Sequence, residues 1–412
     1  MDIVDYRLRL NNCSFSKKKK NIVILVRRSV GELDWIMPLL YSLREKYNVF
    51  TIFRSSEIIN LIKKDKTLFS LWNKTSFGYT IEPKLNAIAF RIGYFLFKRT
   101  ILGNYFKYKF QNIFYNISKI EKLIQNQTKT DCRFMPEAIF AEFVNFSPWI
   151  NFFYNQNKSI KIIYFPHTTN LLSIKKNKIK FKKKIKNRFL LLSNSYDVKH
   201  FHKKFLDSNI IEAGYLKYDK SWIKKLLIKK IKKSKKIIYI SHQGFVASRM
   251  YFKKYTEQTK IIMDICSKIP EIKIIIKNHP MTPKKELLKI LNMYPKKKWK
   301  LVDDNQTYLA QICDVYISMW DSASILDGLS AKKTPIELWS ILKHKNVMIK
   351  KSKYQKLNLT LFVKNKIELK NQIIKLLKKD KLDKQQLEIR KRFNKNFFTD
   401  GSIAYTKKII GL

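Results

Sequence analysis

The sequence has 412 residues, of which 45% are hydrophobic and 14% are aromatic, and 85 Lys and Arg against 31 Asp and Glu give a formal charge of +54. A chain of this length exceeds one ordinary core, so we expect two domains of about 200 residues each. The hydrophobic content excludes a chain that is disordered over most of its length.

The positive charge has more than one explanation. Neutralisation of phosphates by cations is the main non-specific attraction to nucleic acid. However, Lys, Ile and Asn are favoured everywhere, as in "KKNKIKFKKKIKN", which is typical of an AT-rich genome. No RNA-recognition, KH or helix-turn-helix signature is present. We therefore expect an anionic membrane surface, rather than a specific nucleic acid, as the partner of this charge.

The cysteines and the apolar segments indicate the expected cellular location of the protein. Four cysteines lie far apart without a CxxC pair, which predicts neither a zinc site nor a disulfide framework and fits a reducing cytoplasm. No secretory signal and no run of about 18 apolar residues is found. Residues 86–103, "NAIAFRIGYFLFKRTILG", predict an amphipathic helix that either lies in a membrane interface or packs on the first domain. The expected location is the cytoplasm, peripheral at the inner face of the cell membrane.

The first half of the chain alternates strands and helices. "NIVILV" predicts a strand, "WIMPLLYSLREKY" a helix after the loop "RRSVGELD", and "VFTIF" a second strand. Further strands are predicted at 138–143, 160–165 and 189–194. This repetition is typical of a parallel sheet covered by helices.

The second half repeats the alternation after a Lys-rich and Ile-rich stretch at 221–236. Strands are predicted at 236–241, 272–277, "KLVD" and 314–318, and helices at 252–268, after Pro283, around Leu309 and near Ser322. Continuous apolar strands suit sheets covered on both faces. We therefore predict an α/β fold with two doubly wound Rossmann-like domains, 1–220 and 221–412, facing across a cleft.

The loops that follow the strands are the candidates for function, because ligands of such sheets bind beyond the carboxyl ends of the strands. Five of these loops carry residues suited to chemistry, and they contain Gly31, Glu32 and Asp34; His167; Ser241, His242 and Gly244; Lys277 and His279; and Ser322, Ala323 and Ser324 at a helix start. Unpaired N–H groups at a helix start attract anions, although Ser322 is equally suited to an N-cap role. Three of the six histidines lie at strand ends, which favours a shared site.

Residues 160–339 resemble the catalytic region of the CDP-glycerol glycerophosphotransferases, which make teichoic acids and related capsule polymers. "FPHTTN" is similar to that family's His-Gly loop, "EAGYLKYDK" to its Gly-x-Pro-Arg-x-Asp turn, and "IIIKNHP" to its Lys-x-His-Pro. "DVYISMWDSASILDGLSAKKTP" resembles its closing Asp-Tyr-Ser-Ser segment. The chain departs from the family at positions 168, 216, 217, 320, 321 and 323, which leaves the donor open.

The resemblance implies a GT-B-like fold and a transferase with a nucleotide-activated donor, without a cofactor and without a metal site. His167 is then the candidate base, since an imidazole near its ordinary pKa of 6.5 accepts a proton at cytoplasmic pH. The implied donor-binding residues are His279 with Lys277, Lys217 in place of the family's Arg, Asp327 for ribose hydroxyls, Ser241, His242, Gly244 and the 322–324 helix start. Turn, cap and helix-dipole roles for His279, Ser322 and Asp327 remain open. Gly31, Glu32 and Asp34 are assigned to the acceptor side.

The function predicted from these residues is transfer of a glycerophosphate or sugar group to a glycan or lipid-linked acceptor in surface polysaccharide synthesis. A UDP- or CMP-sugar glycosyltransferase is the nearest alternative, because it would share the predicted cleft. A UDP-sugar 2-epimerase and a basic nucleic-acid-binding protein are further alternatives.

Overall fold

The computed structural model describes residues 4–9, 15–26, 30–53, 56–83, 134–142, 157–166, 185–194, 207–226, 235–242, 252–279, 284–319, 322–338, 352–378, 382–397 and 400–412, with isolated residues at 96, 122, 125–126, 150 and 154. The chain divides into two compact units. The first comprises Met1–Lys64, Leu68–Lys217 and Gly401–Leu412, and the second comprises Asp65–Thr67 and Tyr218–Asp400.

An eight-stranded sheet forms the centre of the first unit. Its strands are β1 (Val4–Arg9), β2 (Lys20–Val26), β3 (Tyr47–Phe53), β4 (Ser76–Pro83), β5 (Pro136–Glu142), β6 (Lys161–Phe165), β7 (Arg188–Leu192) and β8 (Asn209–Glu212). The spatial order is β1-β4-β3-β2-β5-β6-β7-β8, and all pairs are parallel except β1 with β4. The chain therefore reverses its direction of winding between β2 and β5, which is the topological switch point of this sheet.

The described helices of the first unit pack on this sheet. They are α1 (Val30–Leu43), α2 (Ser56–Lys64) and α3 (Lys66–Asn73), whose first two residues belong to the second unit. Strands β2 and β3 are buried almost throughout, because Ile, Val, Leu and Phe side chains point to both faces. This is the composition that a sheet covered on two sides requires.

A six-stranded parallel sheet forms the second unit. Its strands are β9 (Lys236–Ser241), β10 (Ile272–Lys277), β11 (Trp299–Val302), β12 (Val315–Met319), β13 (Ile336–Leu338) and β14 (Leu361–Phe362), in the order β11-β10-β9-β12-β13-β14. Numbered from β9, this is the Rossmann order 3-2-1-4-5-6. The switch point therefore lies between β9 and β12.

The helices described for the second unit precede, connect or follow these strands. They are α4 (Lys220–Leu226), α5 (Phe252–Cys266), α6 (Lys284–Leu291), α7 (Gln306–Ile312), α8 (Ile325–Ser330), α9 (Lys353–Lys356), α10 (Lys366–Lys378) and α11 (Lys384–Asn396). A cluster of buried side chains between β9, β12 and α7, including Tyr239, Leu309 and Tyr316, fixes α7 against the sheet. Asn305 caps α7 by accepting from the backbone N–H groups of Thr307 and Tyr308.

The last helix, α12 (Ser402–Ile410), returns to the first unit. The Thr406 hydroxyl donates to the Ala213 carbonyl at 3.5 Å, and the Lys161 ammonium donates to the Gly411 carbonyl at 2.6 Å. The sequence placed 221–412 in one C-terminal domain, and this was wrong for residues 401–412. The physical reason is that α12 buries Ile403 and Ile410, and it packs on α1.

The prediction of two Rossmann-like α/β domains is confirmed by both sheets. Most predicted strands lie within two residues of their observed bounds. The segment 86–103 lies outside the described residues except for Leu96, so the prediction of an interfacial helix there stays a prediction. Within the described part of the chain, every helix is too short or too polar to span a bilayer.

Candidate functional site

The carboxyl edge of the second sheet brings several predicted residues together. Ser241 ends β9, and it is the register partner of Lys277 on β10 and of Ser318 on β12. Hydrogen bonding along parallel strands places these three residues in one row at the switch point. Open α/β sheets bind their ligands at such a point.

A network of hydroxyl and amide groups spans this edge. The Ser241 hydroxyl donates to the Ser324 hydroxyl at 2.8 Å, and the Gln306 amide donates to the Ser241 oxygen at 2.6 Å. The same amide donates to the Tyr316 hydroxyl at 3.1 Å, which in turn donates to the Ser324 carbonyl at 2.6 Å. The network therefore ties the end of β9 to the loop before α8 through neutral groups.

The loop 322–324 lies above the end of β12. Ser322 accepts at its hydroxyl from the backbone N–H of Ser324 at 3.3 Å, while Ala323 is exposed. Helix α8 follows this loop directly and packs against β12. Its Gly328 lies so close to Tyr316 that an added Cβ would be 3.1 Å from the tyrosine ring. A larger residue at position 328 would push α8 away from β12.

Two histidines follow β9 and β10. His242 is 3% exposed, and its Nε2 lies 2.9 Å from the Thr259 hydroxyl. Burial lowers the pKa of His242 to about 3, with a further contribution from His279. His279 is partly buried, and burial lowers its pKa below the ordinary 6.5. Both imidazoles are therefore neutral near pH 7, so they contribute hydrogen-bonding groups rather than positive charge.

The assignment of His242 to donor binding stays a prediction. The structure leaves 3% of its surface exposed and places its ring within hydrogen-bonding distance of Thr259. His279, at the end of the neighbouring strand, is the histidine that retains exposure.

Lys277 does not present its ammonium as a free cation at this edge. Its Nζ donates to the backbone carbonyl of Asp304. This bond links β10 to the loop before α7, so Lys277 positions Asn305 and Gln306. The role predicted for Lys277 beside His279 stays a prediction. One N–H group of its ammonium is used by the hydrogen bond to this loop.

Asp327, predicted to bind ribose hydroxyls, is largely buried in the structure. It is 3% exposed, and its Oδ1 accepts from the Thr307 hydroxyl at 2.5 Å. The carboxylate therefore joins α8 to α7, and its role towards a ribose stays a prediction.

Lys217 is likewise placed differently from its prediction on the donor side. It belongs to the first unit, and its Nζ lies 2.7 Å from the Asp34 carboxylate of α1. Gly214, with φ of +72°, makes the turn that precedes it, a conformation that glycine adopts at low cost. The Gly-x-Leu-Lys turn therefore places a lysine in an ion pair with Asp34, which was predicted to lie on the acceptor side.

The carboxyl edge of the first sheet collects acidic and amide groups. Glu32 lies in the first turn of α1 and is fully buried, as a carboxylate near a helix N-terminus is favoured there. Glu142 ends β5 and is 2% exposed. Gly31 and Asp34 flank Glu32, so all three acceptor-side predictions lie at the β2–β5 switch point.

Aromatic and amide side chains extend this edge. Trp35 of α1 stacks on Phe165 at the end of β6, with ring centroids 5.9 Å apart. Phe165 is the register partner of Glu142. Beyond β7, the Asn194 amide donates to the Tyr215 hydroxyl. The edge thus combines carboxylates with an aromatic pair.

Sequence reasoning missed Gln306, Tyr316 and Glu142. Gln306 follows the N-cap Asn305 directly after a strand, and this strand-cap-helix pattern in "KLVDDNQT" was the signal that could have found it. Glu142 is the last residue of a buried strand at a switch point. Tyr316 carried no such signal, because an apolar strand with an inward Tyr reads as core.

Some predictions fall on undescribed parts of the chain. His167 and Gly244 lie outside the described residues, so their roles stay predictions. Among the residues that the structure does describe, no three His, Cys, Asp or Glu side chains lie close enough together to hold a metal ion.

The fold is shared with known nucleotide-sugar proteins. No protein-family model matches the chain, and no curated protein matches its sequence. The chain is similar to Staphylococcus aureus MnaA solved with UDP, at 12% identity and a TM-score of 0.52 over 95% of this chain and 97% of that one. It is similar to the Streptomyces nogalater glycosyltransferase SnogD, at 10% identity and 0.52 over 96% and 100%.

A third similar structure is the UDP-GlcNAc 2-epimerase of Methanocaldococcus jannaschii, at 12% identity and a TM-score of 0.51 over 95% of this chain and 100% of that one. These likenesses show the GT-B fold. The narrower resemblance to CDP-glycerol glycerophosphotransferases is not confirmed.

Proposed function

We propose that this protein is a transferase that binds a nucleotide-activated donor at the carboxyl edge of its second sheet. The transferred group is a sugar or a glycerophosphate, and the acceptor is a glycan or a lipid-linked intermediate of surface polysaccharide synthesis. The observation that carries the proposal is the row of Ser241, Lys277 and Ser318, with its hydroxyl and amide network, at the switch point of a Rossmann-ordered sheet.

The chemistry of this row suits a diphosphate. Phosphate oxygens accept hydrogen bonds, and Ser hydroxyls, the remaining N–H groups of the Lys277 ammonium and a neutral imidazole can all donate them. In a site shielded from water, such fixed donors stabilise developing negative charge without reorganisation. The exposed Ala323 marks where the backbone of the 322–324 loop is open to a ligand.

His279 is assigned to the departing phosphate. Burial keeps it neutral in the free protein, so it offers an N–H donor to the diphosphate. A bound diphosphate would raise its pKa again, because a nearby negative charge favours the protonated ring. His279 would then stabilise the leaving group increasingly as charge develops on it.

The first unit is proposed to bind the acceptor. Asp34 retains 14% side-chain exposure, and its carboxyl oxygens can accept hydrogen bonds from the hydroxyl groups of a glycan, while Glu32 and Glu142 are buried at the same edge. Trp35 and Phe165 add an aromatic surface beside them. His167 remains the proposed base that removes the acceptor hydroxyl's proton, as the acceptor oxygen bonds to the donor and the nucleotide leaves.

Two donor classes fit this scheme. Attack at the phosphorus of CDP-glycerol would release CMP and transfer glycerophosphate, whereas attack at the anomeric carbon of a nucleotide sugar would release the nucleotide with its phosphates. The second class has added support from SnogD, a glycosyltransferase with the same fold.

A sugar 2-epimerase is the second candidate, because a UDP-GlcNAc 2-epimerase with this fold is similar over 95% of the chain. An epimerase would convert a UDP-sugar in the absence of any acceptor. Incubation with UDP-N-acetylglucosamine alone, followed by chromatography of the nucleotide sugars, separates this activity from transfer.

The test is a donor screen by thermal unfolding. CDP-glycerol, UDP-sugars and CMP-sugars are each titrated against the protein. A ligand that binds only the folded state raises the free energy of unfolding by about 2.7 kcal/mol when its concentration is about a hundred times its dissociation constant. Stabilisation by one donor class supports the proposal and names the donor. No stabilisation by any nucleotide would contradict it.

A further inference from the structure

A groove of about 850 Å³ lies in the second unit at the amino ends of β9 and β10. This end of the sheet is opposite the carboxyl edge described above. Its walls are the last turn of α5 and one face of α10. A volume of this size is within the range of sites that hold small molecules or lipid segments.

Lysines surround the groove. The ammonium groups belong to Lys235, Lys236, Lys268, Lys366, Lys370 and Lys378. All six residues are exposed. Long lysine side chains of this kind keep their charge in water while their stems cover apolar surface.

Three acidic residues also line the groove, and two of them have partners of their own. Asp264 accepts from the Tyr294 hydroxyl at 2.8 Å, and its other oxygen lies 3.9 Å from Lys366. Asp314 accepts from the backbone N–H of Ile237 at 2.6 Å. With Glu271 as the third acid, six lysines against three carboxylates leave the rim with a surplus of three positive charges.

The floor of the groove is aliphatic. It is formed by Ile265, Ile269, Pro270, Ile272, Ile374 and Leu377. None of the described residues that line it is aromatic, whereas sites for nucleotide bases rely on aromatic stacking. The groove also runs over strand ends rather than along a strand edge, so it offers no backbone ladder to an extended peptide.

An aliphatic floor inside a cationic rim matches an anionic amphiphile. We propose that this groove docks an anionic phospholipid of a bilayer surface, with the phosphate among the lysines and the upper acyl chain on the aliphatic floor. Ile367, the most exposed large apolar side chain of the second unit among the described residues, lies on α10 at 73% exposure and would enter the same interface.

This docking would leave the carboxyl edge of the second sheet accessible, because the groove lies at the opposite ends of the same strands. The proposal does not depend on the proposed function. It identifies the groove as the site at which this positively charged chain would contact an anionic membrane surface.

The test is sedimentation of the full chain with vesicles of phosphatidylcholine, with and without phosphatidylglycerol. The variant carries Lys268→Gln, Lys370→Gln and Lys378→Gln. A matched control carries Lys332→Gln, Lys391→Gln and Lys395→Gln, which are exposed lysines of the same unit away from the groove. Both variants have the same net charge.

We expect wild-type protein to sediment with the anionic vesicles only. At about 1 kcal/mol for each lysine near an anionic surface, the groove variant should bind about 100-fold more weakly. The control should lose far less, since screening limits charge effects to about 8 Å at physiological salt.

Two further measurements keep the outcome decisive. Leu377→Ser should weaken vesicle binding while thermal unfolding shows that the protein stays folded, because it removes part of the aliphatic floor. Binding to random single-stranded DNA should fall equally in the two lysine variants. Equal loss of vesicle binding in the two lysine variants, or a groove variant that loses DNA binding but keeps vesicle binding, would overturn the proposal.

Discussion

The carboxyl edges of the two sheets have the same topology and opposite chemistry. Each edge lies at a switch point beside a central strand, since β2 is flanked by β3 and β5 in the first sheet and β9 by β10 and β12 in the second. In the first unit this edge holds Glu32, Glu142 and the Asp34–Lys217 pair. In the second unit it holds Ser241, Ser324, Gln306 and a neutral His279.

This difference indicates a division of labour. Anionic phosphates are repelled by carboxylates and accept from hydroxyl, amide and imidazole N–H groups. In the proposed function the second edge therefore binds the donor, and the first edge binds an acceptor rich in hydroxyl groups. Variants at the two edges should separate nucleotide binding from the rest of the reaction.

The largest effect is expected for His279→Ala. Loss of its N–H donor to the departing phosphate should lower turnover about 100-fold or more, the scale for removal of one transition-state hydrogen bond. Turnover with the donor identified by the screen is the measurement.

Lys273→Ala is the matched control for this variant, because Lys273 is a partly buried residue near the other end of the same strand. It should keep turnover near the wild-type value. Near wild-type turnover in His279→Ala would remove this histidine from the reaction.

Ser241→Ala should weaken nucleotide binding about tenfold, with little change in unfolding. It removes a hydroxyl that joins Gln306 to Ser324, and a hydrogen bond is worth about 1 kcal/mol or slightly more. Isothermal titration with the nucleotide measures the dissociation constant. Ser330→Ala is the control, because that hydroxyl donates to the Asp327 carbonyl at the other end of α8. Equal affinities in the two variants would argue against a nucleotide at this edge.

Acid should destabilise the second unit through His242. Because burial holds its pKa at about 3, the unfolded chain, with an ordinary value of 6.5, binds the proton more readily. Stability is therefore full above pH 6.5 and falls as the pH drops towards 3. Between about pH 7.5 and pH 5.5 this histidine should cost about 1.4 kcal/mol.

Denaturant unfolding of wild type and His242→Gln at the two pH values checks this sign. The variant should lose less stability than wild type over the same interval. An identical loss would show that His242 does not titrate differently in the folded and unfolded states.

The smallest effect is expected for Lys217→Gln. It breaks an ion pair whose side chains are 15% and 14% exposed, so unfolding should become easier by about 1 kcal/mol. Nucleotide affinity should not change, because the pair belongs to the first edge. A double-mutant cycle with Asp34→Asn isolates the pair, and weaker nucleotide binding in Lys217→Gln would return this lysine to the donor side.

The strands and their order of appearance were predictable, because runs such as "NIVILV" and "KIIYIS" consist mainly of apolar residues that are buried on both faces of the sheet. The edge strand β1 was not predicted, since it pairs antiparallel with β4 and carries Arg and Asp among its apolar residues. The return of α12 to the first unit depends on tertiary contacts such as Thr406 with Ala213, which no local pattern encodes.

The site was predictable in position and less so in chemistry. Strand ends led to Ser241, His279 and Ser324, because parallel topology brings strand ends together. Burial was not visible in the sequence, so His242 and Asp327 were assigned to a ligand although each is 3% exposed. The motif resemblance had assigned Lys217 to donor binding. Its pairing with Asp34 instead depends on the turn at Gly214, which the motif alone did not reveal.

Amide hydrogen exchange with and without the stabilising nucleotide tests the central claim most directly. The account predicts slower exchange in peptides that contain residues 241–242, 277–279 and 322–324, where the diphosphate would accept from backbone and side-chain donors. A nucleotide that stabilises the protein yet protects only peptides around Glu32 and Glu142, with those three segments unchanged, would contradict it.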